Sequence, residues 1–478
     1  MILRDARVGS RRVDLRIESG LIAEIGDIPA TDDESVDLDG RWLTPGLWDH
    51  HVHFGQWSMQ SQRLDVSSAS SATETARLIA DAIRASSVDS ETATPFVAVG
   101  FRDGLWPDSP NLAALDAASF APVVVVGGDL HGVWLNSAAL ELYGRVGNET
   151  GVLREDEAFR ILGFIDSVDD RQLDAWVDAA ARAAAAKGVV GVVDYEMAWN
   201  PDVWSRRQAS GADSLRVEVA VYTEHLDRAI ERGLRTGDRL GDLLTMGNFK
   251  ILIDGSLNTR TAYCWDEFAG VPGEFGVLTV QEDRLRELMT RASEAGIEPS
   301  VHAIGDRANT IALDAFEAVG CRGRIEHAQF LAATDLSRFA RLGVAASLQP
   351  DHAMDDRDVA DRYWAGRTDR AFPLRSLLDA GATVLLGSDA PVSPLDPWRT
   401  IAAAVGRARD GRAPWHPEQA IDANDAFAAS ARSTVELGQP ADLVVTELDP
   451  LASTADELRE MIVHATLLGG RFTHGGTP

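Results

Sequence analysis

The chain has 478 residues, 45% of them hydrophobic and 25% charged, with a formal net charge of −29. That acidic excess argues against a nucleic-acid or anionic-membrane partner, since both need clustered positive charge. No apolar run approaches the roughly 18 residues that span a bilayer, and two cysteines, Cys264 and Cys321, make no disulfide framework.

From the start of the chain, residues 1–43 alternate apolar and charged residues as short strands do, with turn signals between them. The opening MILRDARVGSRRVDLRIESG lacks the apolar stretch and small-residue cleavage site of an export signal, so a cytoplasmic location is expected. Residues 435–478 read the same way, through GQPADLVVTEL and MIVHATLLGGRFTHGG, which predicts one small β-sandwich formed by both chain ends. Between them, residues 44–434 alternate apolar strand-like runs with amphipathic helical stretches, the α/β pattern of a (β/α)8 barrel. The eight strands are expected at 43–53, 189–197, 216–223, 248–256, 298–306, 324–330, 344–350 and 382–391. The first two lie too far apart for one helix. Residues 57–165 therefore read as an α/β insertion, with strands in PFVAVGFRDG and PVVVVGGDLHG and a helix in SAALELYGR.

His51 and His53 alternate on the first strand and project to one face, good geometry for a borderline-soft cation such as zinc. His302 and His327 fall in the fifth and sixth strands, and Asp389 ends the eighth. Barrel enzymes keep their reacting residues at these strand ends. Lys250 lies in the fourth strand. Of 45 basic residues only Lys187 and Lys250 are lysine, and Lys187 suits the end of an Ala-rich helix before a glycine. Beside metal ligands a neutral Lys250 amine can take up CO2 as a carbamate and bridge two cations, which a guanidinium cannot do. The plainer alternative is a buried lysine paired with Asp254.

DxHxH at Asp49–His53, VHAIGDRA at 301–308, RIEHAQ at 324–329 and GSDAP at 387–391 resemble the amidohydrolase superfamily. KILIDGSLNTRTA (250–262), NSAAL (136–140), SLQPDH (347–352) and GQPADLVV are similar to its amidohydrolase-3 type, the branch typified by N-substituted formamide deformylase. The resemblance implies a binuclear centre of two divalent metal ions, zinc foremost. His51, His53 and Asp389 would bind the buried metal, His302 and His327 the exposed one, and carbamylated Lys250 would bridge them. Relatives often carry a His before the second-strand Asp, where this chain has Val193 before Asp194.

Two cations roughly 3.5–4 Å apart would acidify a bridging water, and Asp389 would carry its proton to the leaving nitrogen of a C–N bond in a small-molecule substrate. His131 and Arg260 are candidate catalytic donors to the developing oxyanion. Trp57, Trp106, Trp134 and Trp199 either line a pocket or pack in the core. Gln349 and His352 face either substrate or solvent, and Glu155 either reads a substrate group or opens a helix. Cys264 and Cys321 are expected as small buried apolar residues. Alternatives are a mononuclear deaminase and a non-catalytic scaffold barrel, and a homodimer follows from base rates alone.

Overall fold

The structure, a computed structural model, describes residues 1–30, 32–85, 95–128, 130, 132–154, 156–165 and 168–476. It divides into two compact units, Met1–Phe54 with Ala181–Pro478, and Gly55–Ala180. Among the described residues no helix is long and apolar enough to cross a membrane.

The first unit contains the barrel. Its strands are β1 (Leu47–Val52), β2 (Val189–Asp194), β3 (Arg216–Tyr222), β4 (Leu244–Leu252), β5 (Pro299–Ala303), β6 (Gly323–His327), β7 (Val344–Leu348) and β8 (Val384–Leu386). They run parallel in chain order around the sheet. A parallel bridge from Val52 to Ala390 joins the two edges, and the Asp389 amide donates to the His51 carbonyl at 2.7 Å. All eight fall where the alternation of apolar runs predicts them. Strands walled by helices outside and side chains inside are buried on both faces, and VVGVVD of β2 has no exposed residue. The helix Glu282–Glu294 shows the complementary pattern. Leu285, Leu288, Met289 and Ala292 make its buried stripe and join Phe249 and Ile251 of β4 in the main core.

Both chain ends enter one eight-stranded mixed sheet. Leu443–Thr446 pairs antiparallel with Trp42–Pro45, and Leu3, Leu15, Leu43, Leu443 and Leu467 share one apolar cluster. In the second unit five strands lie in the spatial order 152–154, 132–135, 123–127, 96–101 and 64–65. Asn136 of the NSAAL motif is fully buried there. Its side-chain oxygen accepts from the Val123 and Ala139 amides, tying a strand to the start of helix Ser137–Leu142.

Toward the N-terminal ends of its strands the barrel interior is charged. Glu218 of β3 accepts from Arg324 of β6 at 2.7 Å and from Arg432 at 2.6 Å. Burial works to raise the Glu218 carboxyl, but the two guanidinium groups hold it below its ordinary value. Removing one partner of such a pair strands a buried charge. Glu218→Ala is therefore expected to lower stability by roughly 3 kcal/mol, read as a shift of the urea unfolding midpoint with an unchanged slope.

Candidate metal centre

His51 and His53 lie at the C-terminal end of β1, where the pairing with β2 slips register between Val192↔Asp49 and Asp194↔Val52. His50 is stacked on Trp48 with ring centroids 6.3 Å apart, and its Nδ1 lies 3.4 Å from the Arg432 guanidinium. Nε2 of His51 and Nε2 of His53 stand 3.5 and 3.6 Å from Oδ1 of Asp389. Ligand atoms held about 2.1 Å from one cation are themselves some 3–4 Å apart, so these three have a metal-site spacing. Asp49 accepts from the His51 and Ser388 amides at 3.1 and 3.0 Å, pinning β1 to the end of β8. Burial pushes its carboxyl up to about 6.

Lys250 of β4 is 2% exposed. Its Nζ lies 3.1 Å from Nε2 of His51 and 4.0 Å from the centre of the Tyr195 ring. Asp254 is not its partner: that carboxylate accepts from the backbone amides of Tyr263, Ile304 and Gly305 at 2.9–3.1 Å. Nε2 of His302 stands 3.4 Å from Oδ1 of Asp254. The His302 and His327 rings meet edge to face at 4.5 Å, and His327 is 5.1 Å from His51. The six residues expected to hold metal thus converge at one end of the barrel.

Two of them sit on unusual backbone. His327 and Asp389 have φ of 73° and 56°, a region that side-chain-bearing residues seldom occupy. At His327 this departure ends the alternation of β6, so Glu326 and His327 both reach the centre. Strained backbone of this kind gathers at functional sites.

Burial dominates the electrostatics. It drives the imidazoles of His51 and His302 down to about 4 and about 3, helped by the nearby Lys250 charge. His53 and His327 are lowered well below the ordinary histidine range for the same reason. Burial also lowers the Lys250 ammonium and raises the Asp389 carboxyl. Neutral imidazoles with free lone pairs are what a divalent cation requires. Nδ1 of His327, moreover, is buried with no hydrogen-bond partner. The donor set therefore fits a metal.

Sequence reasoning passed over Glu326. This carboxylate is fully buried; its Oε2 lies 2.8 Å from Nδ1 of His51, and its Oε1 accepts from Tyr195 and Ser300 at 2.7 and 2.8 Å. The signal was an acidic residue beside Arg324 and His327 in a short barrel strand. Gln349 and His352 are both buried, with Nε2 of Gln349 3.5 Å from Nδ1 of His51 and Nε2 of His352 3.9 Å from Oδ2 of Asp389. Asp194 accepts from the Phe54 and Glu196 amides and from the Trp204 indole, a structural role.

Arg260 occupies an exposed turn with its guanidinium 3.2 Å from the Tyr363 hydroxyl. His131 and Glu155 lie outside the described residues. Trp134 and Trp199 are packed, the first fully buried and the second under the Arg228 guanidinium at 4.2 Å. Both cysteine thiols are pushed up by burial, to about 12 at Cys264 and about 11 at Cys321.

Residues 34–474 match the sequence profile of the Amidohydrolase family. The chain is 27% identical to Protein LONG AFTER FAR-RED 3 of Arabidopsis thaliana, over 91% of this chain and 83% of that protein. It is 27% identical to the N-substituted formamide deformylase of Arthrobacter pascens, over 94% and 92%. An uncharacterized metal-dependent hydrolase from Pyrococcus horikoshii shares the fold, with a TM-score of 0.78 at 24% identity over 95% of this chain and 99% of that one.

Carboxylates that orient a ligating histidine tune metal affinity by about 10- to 100-fold. Glu326→Gln is expected to weaken zinc binding within that range while leaving the circular dichroism spectrum unchanged. Competition with a chromophoric chelator reads the difference.

Proposed function

The chain belongs to the Amidohydrolase family, and we propose that it is a metal-dependent hydrolase of a C–N bond in a small molecule, of the amide type and carrying an N-formyl or N-acyl group. The convergence of His51, His53, Lys250, His302, His327 and Asp389, with the imidazoles neutral, carries this reading. The likeness to the N-substituted formamide deformylase supports the choice of bond.

His51, His53 and Asp389 would hold one divalent cation and His302 and His327 a second, with zinc best suited to this donor set. Bound cations supply Lewis acidity toward a carbonyl and a water acidic enough to act as nucleophile at neutral pH. Lys250 would bridge them as a carbamate: its neutral amine forms a bond to the carbon of CO2, one proton leaves, and a carboxylate-like anion results. Burial supports this step, because it lowers the ammonium and enlarges the neutral fraction.

Asp389 is the group placed to move a proton. Its carboxyl is raised by burial, which brings its proton affinity toward the working range of a general base. It would take a proton from water and deliver it to the departing nitrogen, so that the amine leaves neutral. Glu326 would hold His51 in the tautomer that leaves Nε2 bare.

The test is metal per chain in protein purified without chelator, together with intact mass under native conditions. Near two metals and added mass matching CO2 are expected, and Lys250→Ala is expected to lose both the added mass and one metal. Hydrolysis of N-formyl and N-acyl amines should stop on chelation and return with zinc. In Lys250→Arg, kcat/KM should fall by at least about 100-fold. One metal without added mass would favour a mononuclear deaminase, and no metal a non-catalytic barrel.

A further inference from the structure

We propose that His352 is a protein ligand of the second cation, beside His327. The inference rests on the binuclear reading above and adds to its donor set a residue from the first turn of the helix that follows β7.

Ligand atoms of His327, His352 and Asp389 lie within 4.8 Å of one another, and all three residues are buried. The His327 and His352 rings are within 17° of parallel with centroids 6.3 Å apart, so they flank one space. Nε2 of His352 is 3.9 Å from Oδ2 of Asp389, too far for a hydrogen bond. The ligand atoms of His327 and His352, within 4.8 Å of each other, suit two imidazole donors to a shared cation, with Oδ2 of Asp389 beside them for the proton. The two oxygens of Asp389 thus face different imidazoles: Oδ1 faces His51 and His53, Oδ2 faces His352. Nδ1 of His327 is buried and makes no hydrogen bond.

The backbone under His352 is built to hold it. His352 lies in the first turn of helix Pro350–Tyr363, and its amide donates to the Gln349 carbonyl at 3.1 Å. The neighbouring Asp351 is gripped by Arg399 at 2.9 Å and Arg409 at 3.0 Å, and Arg409 also pairs with Asp355. Two ion pairs on one buried carboxylate anchor that turn.

The experiment begins with the unmutated, zinc-loaded protein. Anomalous difference maps from a crystal should place one cation about 2.1 Å from a ring nitrogen of His352. Separations beyond roughly 3 Å from both cations would overturn the inference. In parallel, metal-free His352→Gln is titrated with zinc against a chromophoric chelator. One of two equivalents should weaken by more than about 100-fold, beyond the range of a residue that only supports a ligand, while the other is unchanged. Two equivalents of unaltered affinity would sink the idea. If neither experiment finds bound cation, the binuclear reading itself fails. Two cations bound without His352 would remove this inference alone.

Discussion

Glu326 must be satisfied inside the barrel without water, and the way this happens governs the centre above it. One oxygen takes the Tyr195 and Ser300 hydroxyls, and the other faces Nδ1 of His51 at 2.8 Å. Burial alone would keep this carboxyl protonated. The His51 hydrogen bond and the charges of Lys250 and Arg324 instead hold it well below the ordinary range. An ionised carboxylate has no proton to give, so the proton shared with His51 sits on Nδ1. Nε2 is then left with its lone pair, aimed at Asp389 and Lys250. A buried acid thereby fixes a tautomer, and the tautomer leaves Nε2 a lone pair to offer.

The same carboxylate links the centre to the lower barrel. Arg324 stands between Glu326 and Glu218, with Nε 3.9 Å from the former and Nη2 2.7 Å from the latter. Along the interior the sequence is therefore acid, base, acid and then the cluster around Lys250. Isolated, any of these charges would be costly to bury; together each offsets the next. The arrangement also explains why β4 and β6 carry Lys250, Arg324 and Glu326 at buried positions.

Much of this was legible beforehand. Period-two alternation located His51 and His53, and apolar runs separated by amphipathic helices located all eight strands. Glu326 and His352 were harder for different reasons. Regular alternation puts Glu326 and His327 on opposite faces, and only the left-handed backbone at His327 brings both inward. His352 follows a strand in a segment whose path is set by Pro350 and by ion pairs to distant arginines, and no local periodicity reports such a path. The aromatic residues went the plain way, since Trp134 and Trp199 pack where an apolar surface needs covering.

The scarcity of lysine needs a more careful reading than the sequence invited. Lys187, the other survivor, pairs with Asp396 at 3.0 Å through a half-exposed side chain, a contact arginine could make equally well. Survival as lysine is therefore not itself the mark of a special role. What separates Lys250 is its setting. Nζ is packed between the His51 imidazole and the Tyr195 ring, at 3.1 and 4.0 Å. A guanidinium there would keep its charge, where burial lets lysine shed a proton. Proton chemistry sets 250 apart from arginine and makes no such distinction at 187.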